Sequence, residues 1–257
     1  MRLLTKEWYQ TMKDSGLGVQ LRADDRAAVF SEEFFQSLWE KNCDDMLGMR
    51  EDVCYEYDMP WDEEEERRYF EENYRREEEI FRTRTPAKIL SKVADIRVLA
   101  LGYCSAEVYR DFEEYRALCE KQTEKTMKEA WDLQRVQGLD KIWTGGYSLH
   151  DSRVQSVKRE GEDLVIEFDG EKALKLHEEL EEEFLFPEIR AIRFRDAEIL
   201  KQEQTLENAW WLYDEIWKTD RGYEIHALLW QESDVFEMTI ECREPELIWT
   251  VEPKQEV

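Results

Sequence analysis

The spacing of apolar residues changes once along this chain, near residue 145, and this change constrains the fold more than any other feature. Before it, apolar residues recur every three or four positions, which is typical of amphipathic helices; after it they alternate, which is typical of half-buried strands. The stretch "TGGYSLHD" (residues 144–151) places a glycine turn at the switch. The sequence therefore predicts an α+β protein. We expect a helical domain over residues 1–145, packed on an antiparallel β domain over residues 146–257 that forms a sandwich or partial barrel.

Capping residues and helical stripes set the expectations for the first half. Ser31 and Ser105 are predicted to begin helices, the second of which runs to about Gln137. We expect "TPAKILSKVADIRVLALG" to form one helix from Thr85 to Gly102. The stretch "MPWDEEEERRYFEENYRREEEIF" predicts another helix with the following buried stripe: Trp61, Tyr69, Phe70, Tyr74 and Phe81.

The second half contains short runs that favour strands. These runs are "LVIEF", "IRAIRFRDAEIL" (two strands), "AWWLYDEIW", "YEIHALLW", "VFEMTIEC" and "LIWTV". "VFEMTIEC" alternates strictly, so we expect it to keep one wet face. Residues 171–186 favour a helix by propensity but lie among strands, and the sequence leaves their structure open.

The run "AWWLYDEIW" (residues 209–217) is apolar on both faces if it is a strand. Trp211, Tyr213 and Trp217 would then share one face, and Trp210, Leu212 and Ile216 the other. One face can lie on the core of the sheet, and the other needs a cover from the helical half, a second copy of the chain or a ligand. The helical half is the simplest cover. The candidate binding residues are the aromatic ones, although core packing is the commoner role for such residues: Trp211, Tyr213, Trp217 and Trp230.

Charge excludes several classes of partner. The chain carries 62 acidic and 36 basic residues, a formal net charge of −26, which repels phosphate backbones and anionic membranes. We therefore expect neither nucleic-acid nor membrane binding, and a protein partner or self-association is compatible with the charge. The acidic runs Glu63–Glu66, Glu77–Glu79 and Glu181–Glu183 are most simply solvated faces, but they could also neutralise a basic toxin or nuclease.

Localisation and cofactor signals are sparse. The opening "MRLLTKEWYQTMKD" turns polar by Thr5, unlike a signal peptide, and no run approaches the ~20 apolar residues that span a bilayer. The five cysteines include no CxxC pair, which favours reduced thiols in the cytoplasm. The sequence contains no glycine-rich phosphate loop, and we expect no cofactor.

Catalysis has only weak candidates in the three histidines of the chain. If His150 and His226 met near Asp151 or Asp214, they could bind a metal ion or act as a general base in a metal-assisted hydrolase. No tight ligand spacing supports a metal site. The simpler interpretation is that His150 and Asp151 fix a turn while His226 packs between strands. The sequence thus leans away from an enzyme.

Four segments resemble a known family. They are "LTKEWY" (4–9), "VADIRVLALGYCS" (93–105), "LHDSRV" (149–154), and "WLYDEIW" followed by "GYEIHALL" (211–229). Together they resemble an uncharacterised family of bacterial proteins, mainly from Bacillus-like Firmicutes, that is defined as a domain of unknown function. The resemblance implies a bacterial, soluble origin and no activity, cofactor or catalytic residue. The leading hypothesis is thus a protein–protein interaction or binding module whose sheet aromatics and acidic helices form its working surfaces.

Overall fold

The computed structural model describes residues 2–139, 143, 149–169, 189–232 and 234–249, which divide into two compact units. One unit runs from Thr11 to Gln122, and the other combines the chain up to Gln10 with the chain from Thr123 onward. The predicted boundary between residues 145 and 146 and the undecided segment 171–186 both lie outside the described residues. The division into domains 1–145 and 146–257 therefore stays a prediction.

The unit from Thr11 to Gln122 is helical, as the three- and four-residue spacing predicted. Its helices are α1 (Lys6–Asp14, which begins in the other unit), α2 (Glu32–Glu56), α3 (Glu63–Arg84), α4 (Ala87–Leu90), α5 (Ile96–Ala100) and α6 (Ala106–Val136, which ends in the other unit), with one 3₁₀ turn at Asp25–Ala28. Two short parallel strands, β1 (Arg22–Ala23) and β2 (Tyr103–Cys104), pair with each other. The predicted helix starts are confirmed: the hydroxyl oxygens of Ser31 and Ser105 accept from the backbone N–H groups of Phe34 and Val108.

The single helix predicted from Thr85 to Gly102 is wrong. The chain leaves the helical conformation after α4 and begins α5 only after Asp95, whose backbone is extended (φ −147°). The Asp95 carboxylate accepts from the Arg97 backbone N–H at 3.0 Å and caps the new helix. A short acidic side chain that satisfies a backbone donor locally competes with helix continuation, and the apolar spacing does not register this.

Aromatic side chains between α2 and α3 form the interior of a helical hairpin. The Trp39 ring packs edge-on against Phe70 and Tyr74, with ring centroids 4.9 and 4.8 Å apart. The predicted burial of Phe81 is confirmed, whereas that of Tyr69 is wrong, because this ring is 54% exposed. Adjacent helical positions lie about 100° apart, so Phe70 can face inward while Tyr69 faces water.

The second unit is built on one eight-stranded antiparallel sheet, which confirms the α+β class. Its strands are β3 (Ser152–Glu160), β4 (Asp163–Phe168), β5 (Ile189–Arg195), β6 (Glu198–Gln202), β7 (Trp210–Lys218), β8 (Tyr223–Gln231), β9 (Asp234–Cys242) and β10 (Glu244–Trp249). Across the sheet they follow the order β10-β5-β4-β3-β7-β8-β9-β6. Over the described residues the sheet is not closed, because β10 and β6 are its two edges.

One hydrophobic cluster lies against the inner face of this sheet. It gathers buried residues from β3, β4, β5, β7, β8 and β9, including Ile166, Phe194, Ile225, Met238 and Ile240. The predicted inward face of "VFEMTIEC" is confirmed by Phe236, Met238, Ile240 and Cys242, which are all buried. We call the opposite side of β7, β8 and β9 the outer face. It is not the wet face that we predicted, because Thr239 on β9 is fully buried there.

A bulge in β7 divides the aromatic residues of this strand between the two faces. The pairing with β8 shifts between Trp211, opposite Leu229, and Tyr213, opposite Leu228. Trp211 consequently points into the inner cluster, where its ring meets Phe168 edge-on at 5.7 Å. The predicted common face of Trp211, Tyr213 and Trp217 is therefore wrong for Trp211, since one extra residue reverses the alternation.

Candidate functional site

The outer face of β7–β9 carries a row of polar side chains that are shielded from water. Glu215, His226 and Thr239 occupy paired positions on three neighbouring strands, and all three residues are fully buried. The carboxylate of Glu215 accepts from the Leu3 backbone N–H at 2.9 and 3.2 Å. The backbone of Leu3 therefore lies against this row of buried polar side chains.

His226 lies between two carboxylates without a hydrogen bond to either. Its Nδ1 is 3.4 Å from Glu215 Oε1, and its Nε2 is 4.0 Å from Glu237 Oε1. Among the described residues, the two ring nitrogens of His226 and the hydroxyl group of Thr239 have no hydrogen-bond partner. Buried polar groups in native proteins are nearly always hydrogen-bonded, so three such atoms in one row mark an unusual site.

His150 and Asp151 lie next to Tyr213, at one end of the outer face. His150 Nδ1 is 3.1 Å from Asp151 Oδ2, and the His150 ring packs edge-on against Tyr213 at 4.9 Å. Trp8 also packs edge-on against Tyr213, at 4.8 Å, and Tyr9 lies 6.1 Å from it. Trp8 and Tyr9 of α1 therefore supply part of the cover that the outer face requires.

Two phenols in this aromatic group are held in their neutral form. Burial raises the pKa of both Tyr9 and Tyr213, and the negative charge of Asp151 raises each further. At neutral pH the hydroxyl groups of Tyr9 and Tyr213 can therefore donate hydrogen bonds, but they are poor bases.

The sequence suggested a possible catalytic set made of His150, Asp151, Asp214 and His226. In the structure, not all of these residues lie close together. The carboxylate beside His226 is Glu215, whereas Asp214 lies on the inner face opposite Ala227. Within the described residues, no three histidine, cysteine, aspartate or glutamate side chains converge in a way that could hold a metal ion. The metal-assisted hydrolase stays a hypothesis without a described ligand set.

Asp214 is held by two tryptophans. Its two carboxylate oxygens accept from the indole N–H groups of Trp143 and Trp211, the second at 2.8 Å. Part of the residue reaches the surface, but its carboxyl group is enclosed by protein. This burial raises the pKa of Asp214, although the two indole donors act in the opposite direction.

The raised pKa predicts how the stability of the protein depends on Asp214. A folded-state pKa above the unfolded value favours folding at low pH, and this contribution is lost as the pH rises through the folded pKa. Asp214→Asn removes the ionisation but also leaves one indole N–H without its acceptor, at every pH. The stability of the variant relative to the wild type is therefore expected to rise with pH, from about pH 4 up to the folded pKa, by at most about 1.4 kcal/mol per pH unit. Urea unfolding across a pH series measures this difference. The exposed Asp220→Asn is the control for loss of one surface carboxylate, and a relative stability that falls with rising pH would contradict the prediction.

The remaining sheet aromatics are only partly covered. Trp217 and Trp230 are half-buried on the outer face, and among the described residues the Trp217 indole N–H has no hydrogen-bond partner. Trp211 is enclosed in the inner cluster, so a ligand on the outer face would meet Tyr213, Trp217 and Trp230 but not Trp211.

A second candidate surface lies at the end of the α2–α3 hairpin, in the helical unit. We call it the hairpin tip and define it by five exposed side chains: Met49, Tyr55, Tyr57, Met59 and Tyr69. Arg50 joins the last turns of α2 to the first turn of α3 through two hydrogen bonds to Glu66, at 2.9 and 3.0 Å. The loop between the helices is fixed by the Met59 N–H, which donates to the Cys54 carbonyl at 2.9 Å.

The hairpin tip is strongly acidic. Residues 44–66 contain eleven aspartates and glutamates and one basic residue, Arg50. Tyr55 is 91% exposed and Tyr57 67% exposed within this segment. The acids were visible in the sequence, but the exposed rings were missed: Tyr69 was assigned to a buried stripe, and Tyr55 and Tyr57 were not singled out.

The described helices include none that is both long and apolar enough to cross a membrane. No curated protein and no solved structure shows significant similarity to this chain. Residues 61–242, more than half of the chain, match one family model, described as "Protein of unknown function (DUF4085)". This match agrees with the resemblance to a family of unknown function, and the chain belongs to that family.

Proposed function

We propose that this protein is a protein–protein interaction module whose working surface is the hairpin tip, and that its partner is a basic protein segment. The observation that carries the proposal is the combination of four exposed tyrosines and methionines (Met49, Tyr55, Tyr57 and Met59) with eleven acids in residues 44–66, to which the exposed Tyr69 of α3 adds a fifth side chain. Acids in the first turn of α3 also stabilise that helix through its dipole. The exposed rings have no such explanation, and they are the stronger support.

The chemistry of the hairpin tip fits recognition of a protein. Tyrosine and methionine are enriched in protein interfaces, where tyrosine offers a large apolar area and one hydroxyl group. Methionine adapts its shape to different partners. The surrounding acids would accelerate association with a basic partner and would repel nucleic acid.

The double substitution Tyr55→Ala/Tyr57→Ala tests the proposal. Peptides are first selected from a displayed library of random peptides on the immobilised wild-type protein, and their affinities are then measured by fluorescence anisotropy. We expect the selected peptides to be rich in lysine and arginine. We also expect the double substitution to weaken their binding at least about tenfold, which corresponds to about 1.4 kcal/mol.

The control variant is Leu118→Ala, which truncates a comparably exposed side chain on α6. It is expected to bind the selected peptides as the wild type does. Added salt should weaken binding, because exposed charges are screened. Selection of neutral or acidic peptides, or equal binding by the double variant, would refute the proposal.

We also propose a cytoplasmic setting and a bacterial origin. The support for the former is the set of five cysteines, all buried as free thiols. Burial raises the pKa of Cys104 to about 11 and that of Cys242 to about 12, which makes these thiols unreactive. A basic toxin or nuclease would be one partner of the required charge, and neutralisation of such a partner stays a prediction.

A further inference from the structure

Residues 2–6, which we call the strap, are bound across a set of carboxylates on and beside the outer face. We call these carboxylates the outer acidic patch: Glu203, Glu215, Glu224 and Glu237. Arg2 pairs with Glu224 at 3.3 Å, and Lys6 pairs with Glu203 at 2.5 Å. Between these two cations the Leu3 N–H donates to Glu215, and the Leu4 side chain is buried.

The strap is held by two ion pairs, a backbone hydrogen bond and the buried Leu4 side chain. The hydrogen bond from Lys6 is the largest cause that lowers the pKa of Glu203 to about 2. In the patch itself, Lys201 is the sheet residue that contacts Glu203 and Glu237. Among the described residues, the strap supplies the cations that pair with Glu224 and Glu203, and the His226 ring lies 4.0 Å from Glu237.

Some buried polar atoms of the sheet beside the strap have no hydrogen-bond partner among the described residues. The strap gives one backbone N–H to Glu215, yet among the described residues both ring nitrogens of His226 and the Thr239 hydroxyl remain without partners. Each buried polar group left in this state costs about 1–3 kcal/mol. The strap buries Leu4 and gives one backbone N–H to Glu215, so this row of polar side chains is suited to an occupant with more hydrogen-bonding groups.

We propose that the outer acidic patch is a binding site for a basic peptide segment, and that the strap is its occupant in cis, an autoinhibitory contact. The peptide class follows from the strap itself: two cations that flank an apolar residue, with backbone donors between them. This site is in a different unit from the hairpin tip, and it does not depend on the proposed function of the tip.

The test uses a dye-labelled peptide with the strap sequence, MRLLTKEW, and the full chain carrying Arg2→Glu/Lys6→Glu. Because the reversed charges repel the patch, the strap should be released and the peptide should bind at least tenfold more tightly than to the wild type. The matched control is Lys128→Glu/Arg135→Glu, which reverses two exposed cations on α6. Its affinity for the peptide should equal that of the wild type.

Two further arms locate the bound peptide. The peptide MELLTEEW, which lacks the cations, should not bind the strap variant. Adding Glu203→Gln/Glu224→Gln to the strap variant should reduce peptide binding at least tenfold. Equal binding by the wild type and the strap variant, or binding that persists after loss of Glu203 and Glu224, would overturn the proposal.

A measurement on the wild type tests the proposal even if the strap variant does not fold. Saturating peptide should accelerate hydrogen exchange of the backbone amides of residues 3–6, because the peptide displaces the strap. Unchanged exchange at saturating peptide concentration would show that the strap is a fixed part of the sheet unit, and would overturn the proposal.

Discussion

Trp211→Ala is expected to lower the free energy of unfolding by about 3–5 kcal/mol, the range found when a large buried aromatic side chain is truncated. Trp211 is fully buried in the inner cluster and packs edge-on against Phe168. The substitution leaves a cavity and also removes one of the two indole donors to the Asp214 carboxylate. Urea unfolding monitored by circular dichroism measures the loss.

The control for this prediction is Trp131→Ala, which removes the same side chain from an exposed position on α6. Trp131 is 63% exposed, so its loss is expected to change stability by no more than about 0.5 kcal/mol. If the two substitutions cost the same, Trp211 does not anchor the core, and the division of β7 by its bulge would be contradicted.

Gly222→Ala is expected to cost about 2–5 kcal/mol, through backbone strain and steric overlap together. Gly222 precedes β8 at φ +143°, a conformation that residues with a side chain rarely adopt. A Cβ atom there would lie 2.4 Å from the Arg243 carbonyl oxygen and 2.5 Å from that of Cys242. Both neighbours are backbone atoms, so relief requires movement of the strand end.

Gly161→Ala separates the two causes. Gly161 also has a positive φ, of 67°, but an added Cβ would meet nothing within 4 Å. Its substitution should cost only the conformational strain, about 1–2 kcal/mol. Thermal unfolding of both variants measures the difference, and a Gly161→Ala variant as unstable as Gly222→Ala would show that steric overlap contributes nothing at Gly222.

The apolar periodicity of the sequence was sufficient to predict the fold class and most elements. The long helix after Ser105 and the strands from β4 to β9 follow patterns that a buried face imposes on any chain. The helix predicted over 85–102 is interrupted between Leu90 and Asp95, and the Asp95 carboxylate caps the helix that follows. Local caps of this kind depend on the backbone geometry, which the spacing of apolar residues does not predict.

The candidate site was predicted less well, for a related reason. The sequence singled out His226 as a weak catalytic candidate, but its buried neighbours Glu215 and Thr239 are set by strand register, which two hairpins determine. No spacing in the sequence reveals that residues 2–6 cover this row. Near the hairpin tip, the adjacent rings Tyr69 and Phe70 both suit a helix interior, but Phe70 is half-buried against Trp39 and Tyr69 is exposed.

The bulge in β7 gives this strand one residue more than its pairing with β8 requires. If Leu212 were deleted, Trp211 and Tyr213 would be consecutive and would still point to opposite faces, so Glu215 would stay on the outer face and Ile216 in the interior. The same deletion within the regularly paired β8 would exchange the two faces for every residue beyond it. Loss of one residue at this position of β7 is therefore expected to preserve the two surfaces of the strand.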